Sequence, residues 1–391
     1  MQPMQRAATQ EKDGGINGNQ TKNDSGKPKN GLLLHEAIDV CSAAYDEHGA
    51  YPSIYRQIFV ARQTHYRSHH HPTDVAIRNK LGAYYFAAKH LVASPRILYC
   101  GEAGGLPQDM ASFGRAYVVK PLEGYSARGV HVVKDGTDIL KGKKITRKYL
   151  LSKWARDLPV LVEELIEDPE FPGRVPPDYK FFVFNGRAEL AWFYDRNPDA
   201  KCMDFLDVSS PGWTRLDAFA HRDLRPCNRT SCLDGPSRGA MLRAVETLAS
   251  NAGGNWMRVD MYRSPAGPVL GEFTPFSSAG KAVGMDGCVL SYLFVRHAVA
   301  VGRNDDAATL DRIVNKKSMQ LDASVPPLSK RKTLELKEVV RGWIPENFAM
   351  ETVNHMNVDY SMVGWDQRET LDQCKQTKEM QETKFGKLKL A

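Results

Sequence analysis

The sequence contains no long apolar run. None of its 391 residues lies in a stretch of about 18 uncharged apolar residues, which is the length that a membrane-spanning helix requires. The first residues, MQPMQRAATQEKDGG, also lack the apolar segment of a secretory signal peptide. We therefore expect a cytoplasmic protein without a membrane partner.

Cysteine is scattered and odd in number. The seven cysteines include no Cys-x-x-Cys pair, and the two closest in sequence are Cys227 and Cys232. This pattern argues against both a disulfide framework and a zinc ribbon, and it is typical of a reducing compartment.

A strong charge bias is also lacking. The net charge is +7, but lysine and arginine are mixed with acidic residues, and only the end KQTKEMQETKFGKLKLA is locally basic. No RNA- or DNA-reading motif is present, so nucleic-acid binding would rest on net charge alone. We expect no nucleic-acid partner, and a monomer or homodimer that acts on small molecules.

Local patterns predict helices mixed with antiparallel hairpins. Residues 1–30 are polar and are predicted to be disordered, and apolar spacing predicts a helix at Asp74–Leu91. The strands AYVVKP and VHVVK flank the turn LEGYSARG, and Asn185-Gly186 marks a hairpin within FFVFNGRAELAWFY. A helix at Ser237–Ala252 precedes a second hairpin, formed by WMRVDMY and PVLGEFTP.

The second hairpin carries acidic residues at informative positions. Strand alternation places Arg258 and Asp260 on one face, and a turn centred near Ala266 would place Asp260 directly opposite Glu272. Two like charges about 5 Å apart destabilise a sheet, so a positive group is expected between them. A divalent cation shared with substrate phosphates meets this need; the alternative is a solvated hairpin face with unrelated acids.

Two further charged positions interrupt apolar strands. Lys120 ends a strand before a turn rich in small residues, which can direct backbone N–H groups toward an anion. Either Glu163 or Glu164 in PVLVEELI must face inward, where an unpaired carboxylate costs several kcal/mol. That glutamate is interpreted either as a salt-bridge partner or as an acceptor for an adenine amino group.

These motifs, in this order, resemble the TupA-like ATP-grasp family. The resemblance rests on YVVKPLEGYSARGVHVVK, on LVEELIEDPE followed by PDYKFFVFNGRAEL, and on MRVDMY followed by GEFTPFSSAG. It spans Asp74 to Gly287. It implies an α+β ATP-grasp fold with an N-terminal subdomain (31–115), a small lid (116–164), a catalytic antiparallel-sheet subdomain (165–318) and a helical C-terminal extension (319–391).

The resemblance implies how the chain would bind the phosphates of ATP. Lys80 and Lys120 match the two lysines that contact these phosphates. The turn from Glu123 to Gly129, which includes Ser126, matches the mobile flap that covers the triphosphate.

It also implies a set of nucleoside and metal contacts. The expected adenine and ribose contacts, with a basic residue nearby, are Glu163, Glu164, Leu165, Ile166, Asp178 and Lys180. The expected ligands of Mg²⁺, with Mn²⁺ as the alternative ion, are Asp260, Glu272 and Thr274. Arg258 would hold the reacting carboxylate, and the segment Ser277-Ser278 would position the substrate.

The activity implied by the resemblance is that of an ATP-dependent carboxylate–amine ligase that forms an acyl-phosphate, in natural-product, polysaccharide or peptide biosynthesis. Lys120, Arg258 and Ser278 are the expected catalytic residues. The wider ATP-grasp superfamily usually has Glu-x-Asn at the metal, whereas this chain has Glu272-Phe273-Thr274, and the resemblance implies that the TupA-like family tolerates threonine at this position. Two alternatives remain open: a small-molecule kinase, and a non-catalytic nucleotide-binding protein.

Overall fold

The computed structural model describes residues 32–48, 77, 79–122, 127–209, 212–217, 219, 225–227, 235–252, 256–274, 285–300 and 367–386. Its helices are α1 (Leu32–His48), α2 (Lys80–Lys89), α3 (Arg147–Leu151), α4 (Gly235–Ala252), α5 (Met285–Ala300) and α6 (Gln367–Phe385). Its strands are β1 (Ile97–Glu102), β2 (Ala116–Pro121), β3 (His131–Lys134), β4 (Thr137–Asp138), β5 (Lys143–Lys144), β6 (Pro159–Glu164), β7 (Asp178–Phe184), β8 (Arg187–Asp195), β9 (Cys202–Asp207), β10 (Thr214–Arg215), β11 (Trp256–Ser264) and β12 (Gly267–Thr274).

The described strands form two antiparallel sheets of six strands each. The smaller sheet, which has the shorter strands, has the order β1-β6-β2-β3-β4-β5. Its β3–β4 hairpin turns at Asp135-Gly136, where both residues adopt a positive φ, as a type I′ turn requires. Val119, Val133 and Val160 pack in one apolar cluster of this sheet. The sheet pairs Lys120 on β2 with Leu161 on β6, and the Lys120 side chain reaches Glu163 two residues further along β6.

The larger sheet has the order β10-β9-β8-β7-β11-β12. Asn185 and Gly186 both have positive φ between β7 and β8, which confirms the predicted hairpin. Every residue of β7 is buried because both faces of the sheet are covered. One face packs on α4, and the other packs on α1 and α5.

The helix predicted at Asp74–Leu91 has a different described start. Residues 74–76 lie outside the described part, and α2 begins at Lys80. Its N-cap is Asn79, whose side-chain oxygen accepts a hydrogen bond from the Gly82 backbone N–H at 2.7 Å. Asparagine is among the preferred N-cap residues.

The prediction against a disulfide framework is wrong. Cys41 of α1 is bonded to Cys288 of α5, and Cys202 of β9 is bonded to Cys227. The partners lie 247 and 25 residues apart, so sequence proximity could not identify them. Disulfides are rare in cytosolic proteins, and the cysteine pattern therefore does not support a reducing compartment.

The C-terminal helix α6 packs on the body of the protein. It contacts α2 and β1, and its Cys374 belongs to the same apolar cluster as residues of α2 and α4. The domain boundaries predicted above stay predictions, and the polar segment 1–30 lies outside the described residues. No described helix has both the length and the apolar character needed to cross a bilayer.

Candidate functional site

The acidic hairpin has the predicted register at its central pair. Asp260 on β11 lies opposite Glu272 on β12, as alternation and the turn position indicated. The turn is one residue tighter than expected, because Ser264 pairs with Gly267, and a bulge between Asp260 and Met261 restores the register. Such bulges often lie next to active sites, where they redirect a side chain.

The positive charge that this pair requires is supplied here by Arg258. Its Nε lies 2.6 Å from Asp260 Oδ1, and its guanidinium also donates to Asp260 Oδ2 at 2.8 Å and to Glu272 Oε1 at 3.2 Å. The same group donates to the Thr274 hydroxyl at 2.9 Å. The three predicted metal ligands therefore converge on one guanidinium.

Lys180 on β7 extends this cluster. It pairs with Asp260 across the sheet and forms an ion pair with it, and it lies 3.3 Å from Asp178 Oδ2. Burial opposes ionisation of Asp260, but Arg258 and Lys180 outweigh it and lower the pKa of Asp260 to about 2. The aspartate is therefore a carboxylate across the physiological pH range.

Arg196 belongs to the cluster but is absent from the sequence-based set. Its Nε donates to Asp178 Oδ2 at 2.6 Å. Burial works against the charge on Asp178, yet Lys180 and Arg196 hold its pKa below the ordinary value. In the β7–β8 hairpin, Tyr194 pairs with Asp178. Arg196 is two residues after Tyr194, so alternation places it on the same side of the chain. The predicted hairpin could therefore have indicated Arg196.

A second buried cluster surrounds Lys120. Its ammonium lies 2.5 Å from Glu163 Oε1 and 3.1 Å from the Tyr84 hydroxyl, which in turn donates to Glu163 Oε2 at 2.8 Å. Glu163 is 5% exposed, which confirms that one of the two strand glutamates faces inward. Glu164 points outward and bonds to Arg96.

Tyr84 connects the two clusters electrostatically. Burial is the main cause that raises the pKa of Tyr84 well above its ordinary value, and Glu163 is the next. Tyr262 and Glu272 of the hairpin raise it further. Tyr84 also belongs to the same apolar cluster as residues of the hairpin, so Lys120 and Glu163, which it contacts, lie near the hairpin.

The flap is described only at its base. Lys80 donates to the Leu122 carbonyl at 3.2 Å, directly before the flap begins. Gly129 closes the flap with φ +73, and a Cβ atom there would lie 2.9 Å from Pro121 Cγ. The flap positions Glu123 and Ser126, and the substrate-side Ser277-Ser278, lie outside the described residues.

The hinge residues predicted to contact the nucleotide base are both buried. Leu165 packs with Val132 and Val175, whereas Ile166 packs with Val269 and the ring of Tyr262. Strand alternation places Tyr262 on the charged face of β11 together with Asp260, although the predicted set of site residues does not include it. Gly271 admits its ring, because a Cβ atom at that position would lie 2.8 Å from the Tyr262 ring.

The residues present fit a magnesium ion that is shared with a nucleotide. The described part of the chain contains no group of three or more His, Cys, Asp or Glu side chains placed to bind a metal. Two carboxylates, Asp260 and Glu272, do converge, and Mg²⁺ is commonly held by one or two carboxylates together with substrate phosphates. The Thr274 hydroxyl adds one neutral oxygen.

Several solved ligases resemble this structure loosely. The D-alanine–D-alanine ligase from Bacillus anthracis matches at 14% identity over 60% of this chain and 71% of its own, with a TM-score of 0.38. The L-amino acid ligase from Bacillus licheniformis matches at 13% identity over 56% of this chain, with a TM-score of 0.35. This second match spans only 48% of the ligase.

Sequence comparison gives a clearer result. The family profile described as TupA-like ATPgrasp matches residues 63–287, which is more than half of the chain. The match includes both clusters, the hairpin and the hinge. No curated protein matches the chain, so the family assignment rests on the family profile.

Proposed function

This chain belongs to the TupA-like ATP-grasp family, and from that premise we propose that it is an ATP-dependent carboxylate–amine ligase. The proposed reaction transfers the γ-phosphoryl group of ATP to a carboxylate and then joins the acyl group to an amine. One observation supports it above others: the buried ring of charges formed by Arg258, Asp260 and Lys180 beside Glu272. Such a ring costs several kcal/mol per ion to desolvate, and a charged substrate explains its position.

The lysines are proposed to bind the phosphates. Lys120 has a fixed position because Glu163 and Tyr84 both contact its ammonium, and Lys80 lies at the base of the flap. Phosphoryl transfer depends mainly on positioning and on neutralising negative charge. Two ammonium groups near the triphosphate would contribute to both.

Arg258 is proposed to bind the reacting carboxylate. A guanidinium presents paired N–H donors that match the geometry of a carboxylate, and the contacts to Asp260 and Glu272 show that this side chain binds carboxylates in its folded position. The bound carboxylate would attack the γ-phosphorus in line with the leaving oxygen. The same guanidinium would then stabilise the oxyanion that forms when the amine attacks the acyl carbon.

Asp260, Glu272 and Thr274 would hold Mg²⁺. When bound, the ion supplies charge neutralisation at the β- and γ-phosphates. Asp260 is suited to this role because Arg258 and Lys180 keep it ionised against the cost of burial. Lys180 and Arg196 likewise keep the neighbouring Asp178 ionised.

The test is a screen of ADP release over pooled carboxylates and pooled amines, followed by mass spectrometry of the products. The proposal expects ADP and phosphate only when acid and amine are both present, together with a new amide. Transfer of phosphate to a stable acceptor would identify a kinase instead. Wild-type turnover no greater than that of Asp260→Asn would identify a non-catalytic nucleotide-binding protein.

The matched control is Asp157→Asn. Asp157 is exposed, lies before β6 and has no place in the proposed machinery. This variant removes the same charge from the protein and should keep wild-type turnover. A parallel loss in both variants would show that net charge, rather than the hairpin, governs the activity.

A further inference from the structure

The C-terminal helix α6 makes specific polar contacts with the body of the protein. Gln381 accepts a hydrogen bond from the Ile97 backbone N–H at 3.3 Å and donates to Ser94 Oγ at 2.8 Å. The buried hydroxyl of Thr377 shares its proton between the Gln373 carbonyl of its own helix at 2.7 Å and the Leu81 carbonyl of α2 at 3.3 Å. Buried polar contacts of this kind fix one helix position, because a displaced helix would leave these groups unpaired.

Another polar contact of α6 reaches the start of α2. Gln373 accepts a hydrogen bond from the side-chain amide of Asn79 at 3.3 Å, and the same Asn79 side chain caps α2 through Gly82. Lys80 follows directly in sequence, and Tyr84 lies one turn further along. Helix α6 therefore supports the element that carries one predicted phosphate-binding lysine and the partner of the other.

Two cysteines meet at this interface. Cys100 lies on β1 and Cys374 on α6, and both are unbonded, with Cys374 buried. Cys100 packs against the buried apolar cluster that contains Cys374, and each thiol is the main influence of a neighbouring side chain on the pKa of the other. Lys378, one turn after Cys374, donates to the Leu98 carbonyl at 3.5 Å. The packing of α6 on β1 therefore places the two cysteines side by side.

The surroundings distinguish the two thiols. The hydrogen bond with Cys100 lowers the pKa of the Cys374 thiol, and the ammonium of Lys378 adds to this effect against the opposing influence of burial. The same hydrogen bond and burial raise the pKa of the Cys100 thiol. Because the thiolate is the nucleophile in disulfide exchange, Cys374 is the thiol that attacks first and Cys100 the one that reacts second.

The rest of the described chain already contains two disulfide bonds. The bonds Cys41–Cys288 and Cys202–Cys227 are present, and disulfides form and persist in oxidising compartments. A thiol pair in contact would be oxidised under the same conditions. We propose that Cys100 and Cys374 are a third disulfide site, whose bond fastens the C-terminal helix to the phosphate-binding side of the nucleotide site.

The oxidation follows ordinary thiol–disulfide exchange. The Cys374 thiolate attacks one sulfur of an external disulfide, such as glutathione disulfide, and expels one external thiolate. Cys100 then attacks the Cys374 sulfur of the mixed disulfide, gives up its proton to the solvent as the new bond forms, and expels the second external thiolate. The two cysteines lose two electrons and two protons, and the external disulfide is reduced to two thiols.

The test uses the full chain in glutathione buffers of rising oxidised fraction. Remaining thiols are blocked by alkylation, the protein is digested without reduction, and the peptides are identified by mass spectrometry. The proposal expects a cross-linked peptide pair containing Cys100 and Cys374, beside the two other bonds. Separate alkylation of Cys100 and Cys374 in fully oxidising buffer, or a bond from Cys374 to Cys232, would overturn it.

A second measurement tests the structural effect and does not depend on the proposed reaction. Amide hydrogen exchange is followed over residues 79–89 in the oxidised wild type and in the double variant Cys100→Ser, Cys374→Ser. The proposal expects at least tenfold slower exchange in the cross-linked wild type. Equal exchange in a wild type shown to be cross-linked would contradict the claim that the bond stabilises α2.

Discussion

Asp260 lies directly opposite Glu272 on neighbouring strands of the larger sheet, and one guanidinium, that of Arg258, donates hydrogen bonds to both carboxylates. Two acids at such a position would destabilise the hairpin without a positive partner. The arrangement therefore joins a structural requirement to a functional one. In the proposed reaction, a metal–nucleotide takes over part of the charge balance that Arg258 provides here.

The variant Asp260→Asn should lose both metal–nucleotide affinity and stability. Loss of a residue that merely orients a metal ligand typically reduces affinity or activity by about 10–100-fold, so loss of a ligating carboxylate should reduce it at least as much. The change also leaves Arg258 and Lys180 buried without their shared partner, which costs about 3–5 kcal/mol. Calorimetric titration with Mg²⁺ and a non-hydrolysable ATP analogue measures the first effect, and urea unfolding measures the second. Unchanged nucleotide affinity in a folded variant would contradict the assignment.

The folded protein should lose stability in acid partly through Asp260. Its folded pKa of about 2 is lower than the ordinary value of 3.8. The contribution of Asp260 to the free energy of unfolding is therefore complete above about pH 5, and it is lost as the pH falls from there toward the folded pKa of about 2. The shift corresponds to about 2 kcal/mol. Urea unfolding from pH 6 to pH 2 should therefore show a steeper loss in the wild type than in Asp260→Asn. Parallel curves would show that this carboxylate is not held ionised.

The variant Tyr84→Phe should destabilise the cluster around Lys120. It removes the hydroxyl that donates to Glu163 at 2.8 Å, and hydrogen bonds to charged groups contribute about 1.5–3 kcal/mol. The control Tyr99→Phe removes an exposed hydroxyl that donates to a backbone carbonyl and should cost less than about 1 kcal/mol. The measurement is the free energy of unfolding of each variant relative to the wild type. Equal losses in the two variants would argue against a stabilising hydrogen bond from Tyr84 to Glu163.

The variant Gly129→Ala should impair the flap. Gly129 has φ +73, and the new methyl group would lie 2.9 Å from Pro121 Cγ and 3.3 Å from Trp154 Nε1. Gly136→Ala is the matched control, since Gly136 has φ +75 with open space around it. Both variants should lose about 1 kcal/mol from the backbone conformation. Only Gly129→Ala should also weaken nucleotide affinity, and equal affinity in the two variants would place the flap outside the site.

Strand alternation predicted much of the candidate site. Together with the turn position it placed Asp260 opposite Glu272, and it turned one of the two glutamates on β6 inward, because side chains on a strand alternate between its two faces and a half-buried strand leaves few choices. The Asn185-Gly186 hairpin followed from the conformations that those residues allow. These features depend on local sequence, so local sequence suffices for them.

Long-range features could not be predicted in the same way. The partners of Cys41 and Cys202 depend on how distant elements pack. Arg196 follows the last residue of β8, and its contact with Asp178 depends on how the chain continues beyond the strand. The guanidinium of Arg258 occupies the space between the acids, where charge alone indicated only that something positive was needed.

The most direct measurement of the central claim is the anomalous scattering of Mn²⁺ in crystals grown with a non-hydrolysable ATP analogue. The account predicts a manganese peak within coordination distance of both Asp260 and Glu272, in contact with the β- and γ-phosphates, with Lys120 beside the nucleotide. A peak elsewhere, or Arg258 still bridging the two carboxylates in a nucleotide-bound crystal, would contradict it.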